Sequence, residues 1–257
     1  MGRRLHHTNV IAIGSMENNT LAKIELIWGN CQLFDERFIH RTDGDVVITD
    51  PPFNIKYGYD GYEDNLPKKE WLEVLAFVCK PPCVMILYPE MMFEFARAID
   101  EVPKRCVSWV YNSNTAKQHR MIAWFGIEPD FRRVGQPYKN PTDKRIKKLI
   151  AQGKEARLYD WWEINQVKNV SKEKTEHPCQ MPLEVMRRVV GITPARRIID
   201  PFAGSGTTLV AADMWGIDAL GIEQSRKYFE VMEHRLLDSR NAISTRNHQR
   251  NGDRSED

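Results

Sequence analysis

Two short stretches of this sequence bring together residue types that can do chemistry on a planar ligand. In Asp50-Pro51-Pro52-Phe53 a carboxylate, two ring-stiffened peptide units and an aromatic ring follow one another. Consecutive prolines stiffen the backbone and remove two N–H donors while leaving their carbonyls. At the exit of a parallel strand, a carboxylate, a carbonyl and a fixed ring can grip a planar amine. The same residues also suit a stiff loop with Phe53 in the core and Asp50 capping a turn. The tetrapeptide alone leaves both open.

The second stretch is Asp200-Pro201-Phe202-Ala203-Gly204-Ser205-Gly206-Thr207-Thr208. Gly204 and Gly206 permit a sharp turn and close approach of a ligand. A strand entering such a turn and leaving as a helix aims backbone N–H groups and the positive end of the helix dipole at whatever lies above. The Lys of a phosphate loop is absent, so the turn suits a carboxylate or a ribose better than a triphosphate. A tight turn in an ordinary α/β domain is the alternative. Glu223 ends the next expected strand, where an acid can accept hydrogen bonds from ribose hydroxyls; a helix-capping role at Gln224-Ser225 competes with that. His177, in His177-Pro178-Cys179-Gln180, has no partner at metal-ligand spacing and reads as a hydrogen-bonding loop residue, so no metal site is expected.

The elements that must position these residues follow from apolar patterning. Short buried runs predict strands over 21–28, 45–50, 83–88, 106–111, 196–199 and 218–223. Helical periodicity covers 68–78, 91–99, 183–190, 209–214 and 226–237. Strands alternating with helices predict an α/β fold, a doubly wound and mostly parallel sheet with helices on both faces.

Between 112 and 170 the pattern changes. Arg132, Arg133, Lys139, Lys144, Arg145, Lys147 and Lys148 stand among few acids, interleaved with Tyr111, Trp124, Phe125, Phe131, Tyr138, Tyr159, Trp161 and Trp162. Basic groups for phosphates and rings for stacking suit a nucleic-acid surface. A solvated surface helix over 144–154, with the Trp pair in the core, is the plainer alternative. The concentration of positive charge favours the first reading, because the whole chain carries only +2.

The 257 residues suit one large domain with a small insertion, and 42% hydrophobic with 28% charged residues describes a globular chain. No apolar run approaches a membrane span, and the basic start lacks an apolar segment behind it. Five cysteines without paired or metal-type spacing point to a reducing, cytoplasmic setting.

Taken together, the two motifs resemble those of amino-group DNA methyltransferases. Asp50 to Phe53 is similar to their catalytic motif, and Asp200 to Thr207 to their S-adenosyl-L-methionine (AdoMet) motif. The order, catalytic motif first, is that of the circularly permuted beta class. Thr175 to Pro182 is similar to the segment preceding that family's AdoMet motif, whereas Gly29-Asn30 departs from its usual Gly-Asp. The resemblance implies a Rossmann-like methyltransferase fold and transfer of a methyl group from AdoMet to the N6 amine of a flipped-out adenine in DNA. A cytosine-N4 enzyme, an inactive nucleic-acid-binding module, and methylation of RNA or a small amine stay open beside it. By the same resemblance Asp50, Pro51, Pro52 and Phe53 form the target-base pocket. Asp200, Pro201, Phe202, Ala203, Gly204, Ser205, Gly206, Thr207, Thr208, Glu223, His177 and Gln180 hold the cofactor. The expected organisation is an arm or disordered stretch over 1–20, a catalytic half over 21–111, and an inserted target-recognition region over 112–170. A cofactor-binding half over 171–237 and a disordered tail over 238–257 complete it. DNA is the implied partner, and a homodimer and a cognate restriction enzyme are compatible with the resemblance without being fixed by it.

Overall fold

Val46, Val47 and Ile48 are all buried, as they must be in a strand whose sheet is covered on both faces. In the computed structural model, which describes residues 10–13, 22–33 and 41–252, they form the centre of β3 (Asp45–Thr49). The other early elements are β1 (Val10–Ile13), β2 (Ile24–Trp28), a small hairpin of β4 (Gly58–Tyr59) and β5 (Tyr62–Glu63), and α1 (Lys68–Val78). Then come β6 (Cys83–Leu87), α2 (Pro89–Ala98), β7 (Arg105–Val110) and β8 (His119–Phe125). A mostly exposed region holds β9 (Gly135–Gln136), α3 (Lys144–Ala151) and β10 (Ala156–Arg157), and β11 (Trp161–Glu163) follows. The chain finishes with α4 (Leu183–Ile192), β12 (Arg197–Asp200), α5 (Thr207–Trp215), β13 (Asp218–Glu223) and α6 (Arg226–Gly252).

The main sheet has the order β1-β2-β13-β12-β3-β6-β8-β7-β11. From β2 to β6 every pairing is parallel, while β1 runs against β2 and β8 runs against both β6 and β7. This is the expected α/β fold with permuted strand order. One apolar layer packs α4, α5 and α6 on the sheet through Val185, Val189, Leu209, Phe229 and Met232. The other packs α1 and α2 through Trp71, Leu75, Met92 and Phe95. Helix α1 forms where expected because its apolar residues recur at helical spacing and Trp71 and Leu75 are its buried pair.

Three expectations need correction. Val10–Ile13 lies inside the stretch expected to be an arm, yet it pairs antiparallel with β2; the rest of 1–20 lies outside the described residues. The expected tail over 238–257 is helical as far as Gly252; 253–257 are not described. Within 112–170, His119–Phe125 and Trp161–Glu163 belong to the main sheet, so the largest part outside it is the intervening 126–160. Accordingly Tyr111, Trp124, Phe125 and Trp162, read as part of a stacking surface, are buried in the core, and of the Trp pair only Trp161 is exposed.

All five cysteines are free thiols. Among the described residues no helix is long and apolar enough to cross a membrane, and no cluster of His, Cys, Asp and Glu could hold a metal ion.

Candidate active site

β3 and β12 are parallel neighbours, with Ile199 beside Val47, so Asp50 and Asp200 leave the sheet at the same edge. The chain leaving β3 goes on to α1 on one face, and that leaving β12 enters α5 on the other. A crevice opens where two parallel neighbours diverge in this way. Thr49 Oγ1 donates to Asp200 Oδ1 across it at 2.6 Å. A cleft of about 230 Å³ at this edge is lined by Asp50, Pro51, Pro52 and Phe53 on one side and by Pro201, Phe202, Gly204 and Glu223 on the other. A smaller cavity of about 40 Å³ joins Asp50 and His177 to Asp200, Ala203, Ser205, Thr207 and Thr208.

The glycine turn is built as its residue types require. Gly204 and Gly206 sit at φ 52° and 74°, in the left-handed region. Phe202 N donates to Asp200 Oδ1 at 3.1 Å and Gly204 N to Glu223 Oε2 at 2.9 Å. The other Glu223 oxygen accepts from Ser225 N at 2.7 Å. Burial pushes the Glu223 carboxyl up to about 7, against the amides of Ser225 and Gly204, which favour its charged form. With the Gln224 amide it meets three backbone donors, one fewer than the four lone-pair sites of a carboxylate. A Cβ on Gly204 would lie 3.0 Å from His177 Nε2, and one on Gly206 would lie 2.7 Å from Met232 Cγ. Gly206 therefore shapes the turn from behind.

His177 lies against Tyr228, ring centroids 4.5 Å apart, and its buried Nδ1 has no partner. Burial, with the nearby charges of Lys174 and Arg235, takes its pKa down to about 4, so it is neutral near pH 7. Thr207 Oγ1 donates to the Met181 carbonyl at 3.2 Å and accepts from Arg235 Nη1 at 2.7 Å. Two of the expected cofactor residues line neither cavity, Gly206 and Gln180. Gln180 Oε1 accepts from Thr175 N and Oγ1, and its Nε2 donates to the Glu173 carbonyl. Both ends of the amide thus brace the 173–180 loop. The rest of the set fits AdoMet: an acid with a spare lone pair, a glycine cradle that a Cβ would fill, and an orphaned imidazole nitrogen beside it.

On the other side, the Pro52 carbonyl accepts from Trp71 Nε1 at 2.9 Å, anchoring the Pro-Pro segment to α1. Phe53 packs edge-on against Tyr88 with centroids 4.9 Å apart. Asp64 accepts from the backbone N–H groups of Asn54 and Ile55, fixing the chain just beyond. Asp50 is bound by Arg120, whose Nη1 lies 3.0 Å from Oδ2 and 3.3 Å from Oδ1. Burial pushes the Asp50 carboxyl up to about 6; Arg120 opposes the rise and Asp200 adds to it.

Sequence reasoning did not place Arg120, Tyr88, Cys179 or Gly29 to Gln32 at the cleft, where all of them lie. Only the Gly29-Asn30 turn, at the end of β2 beside β13, carried a signal. Of the expected DNA-binding residues, Arg132, Arg133, Lys139, Lys144, Arg145, Lys147 and Lys148 are all exposed. The last four ride on α3, which has no buried residue and is capped by Asp143 accepting from Arg145 N and Ile146 N.

A permuted α/β sheet with a glycine turn and an Asp-Pro-Pro-Phe edge at one switch point defines the class of AdoMet-dependent amino-group methyltransferases. The family model described as DNA methylase (N6_N4_Mtase) matches residues 44–234, and the chain belongs to that family. It is 26% identical over 220 residues to the type II methyltransferase M.HpaI of Haemophilus parainfluenzae, covering 75% of this chain and 68% of that protein. It is 25% identical over 231 residues to the DNA adenine methyltransferase YhdJ of Escherichia coli K12, covering 75% of this chain and 76% of the relative. The crystal structure of the M1.HpyAVI–SAM complex superposes with a TM-score of 0.55 at 21% identity, covering 83% of this chain and all of the other. The protein is thus an AdoMet-dependent DNA methyltransferase.

Proposed function

We propose that the reaction is methylation of the N6 amine of adenine in DNA, with the target base taken out of the stack. What carries this reading is the single cleft shared by the Asp50–Phe53 edge and the Gly204–Glu223 turn. A base inside a duplex cannot reach that cleft, and extruding it costs a few kcal/mol. Stacking on Phe53 returns about 1–3 kcal/mol. Asp50 and the Pro51 carbonyl accept the two amine hydrogens, turning the nitrogen lone pair out of the plane of the ring. AdoMet, when bound, supplies the methyl group from its sulfonium. Glu223 holds the cofactor ribose, and Asp200 with the Gly204 turn holds the remainder. The proton lost by the amine leaves by way of the Asp50 carboxylate to solvent. Orientation and fixed dipoles carry the rate enhancement.

Adenine is favoured because the Asp-Pro-Pro-aromatic form resembles the adenine enzymes and because the relative YhdJ is named an adenine methyltransferase. Residues 126–160, with the basic face of α3, serve as the target-recognition region, the two flanking strands being part of the catalytic sheet. Methyl transfer to mixed-sequence duplex DNA, followed by nucleoside mass spectrometry and mapping, tests the reading. N6-methyladenine supports it, N4-methylcytosine replaces it with the second base, and no methylated nucleoside removes it.

A further inference from the structure

Arg120 occupies the place in which the proposed function puts the target amine. Its guanidinium carbon lies 4.7 Å from the Phe53 ring centroid, 5.3 Å from that of Trp109 and 5.8 Å from that of Tyr88. Its Nη1 donates to both Asp50 oxygens and lies 3.4 Å from Met181 Sδ. A guanidinium is flat and carries N–H donors in its plane. It thus presents what an adenine amine would present: a face to the aromatic ring and an N–H edge to the carboxylate. The match is incomplete, because Arg120 Nε is buried without a hydrogen-bond partner. An arginine serving only as a permanent brace would have its donors satisfied.

We propose that Arg120 is a resident surrogate for the target base, and that a flipped base must displace it to reach Asp50. The inference rests on the base-pocket reading above. The stacked base and the stacked guanidinium cannot share one face of Phe53. Strand β8 holds the backbone of Arg120 opposite Trp109, so displacement is a side-chain rotation. The Arg120 and Asp50 side chains keep 12% and 14% of their surface exposed, which leaves the guanidinium a way out. In the free enzyme the arginine neutralises a carboxylate that would otherwise be buried alone, and it makes base entry a competition. Only a base whose DNA contacts outweigh the ion pair and the ring contacts enters, so Arg120 contributes to target discrimination.

The test uses the full chain and duplex DNA with 2-aminopurine at the mapped methylation position, or a fluorescent cytosine analogue if that base is cytosine. Arg120→Gln removes the competitor; Arg120→Lys keeps the charge but cannot lie flat on Phe53. The expected result for Arg120→Gln is a larger base-extrusion signal and a KM for DNA lowered about ten-fold, with Arg120→Lys intermediate. Unchanged extrusion and KM with a lower kcat would show a permanent brace of Asp50 and overturn the proposal. AdoMet binding reports folding, and if the Gln variant fails to bind it, the Lys variant decides by the same two readouts. Wild-type protein that methylates no DNA would sink the base pocket itself; wild-type transfer without a gain in the variants sinks only the surrogate.

Discussion

Gly204→Ala is a sharp test of the cofactor side, because its effects on stability and on binding can be separated. Gly204 has φ 52° and its added Cβ would lie 3.0 Å from His177 Nε2 and 3.2 Å from Cε1. A left-handed Ala costs about 1–2 kcal/mol, and pressing on a buried ring adds about 1 kcal/mol. A total of about 2–3 kcal/mol lowers the Tm by roughly 4–12 °C for a chain of this size. Gly216 is the matched control: its φ is 65°, but nothing lies within 4 Å of an added Cβ. Gly216→Ala should therefore lose only about 1–2 kcal/mol from the backbone strain. Both variants would be followed by thermal unfolding and by calorimetric titration with AdoMet. Gly204→Ala should bind AdoMet about 100-fold more weakly or worse, since the methyl group enters the cradle and displaces His177, whereas Gly216→Ala should bind as wild type. Equal cofactor affinity in the two variants would refute the placement of the cofactor against this turn.

Other consequences can be checked with the same protein. Glu223 titrates near 7, raised chiefly by burial, and only its carboxylate form accepts freely from ribose hydroxyls. AdoMet affinity should therefore increase as pH is raised through 7, and a flat profile between about pH 6 and 8 would count against the role. Asp50, with Arg120 beside it in the free enzyme, titrates near 6, so kcat/KM for DNA should fall as pH drops through 6. With Arg120→Gln the opposing positive charge is gone, and that acid limb should move to higher pH. Thr49→Val removes the donor held 2.6 Å from the buried Asp200 carboxylate; it should cost about 1.5–3 kcal/mol in denaturant unfolding with the slope unchanged. Lys147→Ala with Lys148→Ala should weaken DNA binding across sequences and lower the salt slope by about 2, because phosphate contacts are read through counterion release. An unaltered slope would leave α3 as an ordinary solvated helix.

How far the fold could be read from the sequence depended on whether the signal was local. Helix α1 was legible to both ends because Trp71, Leu72, Leu75 and Val78 recur at helical spacing and Pro81-Pro82 lie just beyond. The two motifs at the ends of β3 and β12 were legible because prolines and glycines constrain the backbone by themselves. β1 was missed since a short apolar run between polar stretches gains meaning only from its pairing with β2. The far end of α6 was missed because polar residues without an apolar stripe give no helical period. Trp124 and Phe125 were assigned to a stacking surface from composition, but ring count carries no facing direction; pairing with β6 and β7 turns them inward. Arg120 lies seventy residues from Asp50 along the chain, and no spacing rule joins them. What each motif brings to the cleft was therefore readable, while the side chains that converge there from other elements were not.

The central claim is that Asp50 acts on the target amine while the glycine turn holds the donor. Its most direct measurement pairs two assays on Asp50→Ala, transfer of labelled methyl to DNA and equilibrium binding of AdoMet. Transfer should fall to background with AdoMet affinity within a few-fold of wild type. Undiminished transfer, or transfer and cofactor affinity lost in equal measure, would contradict that claim.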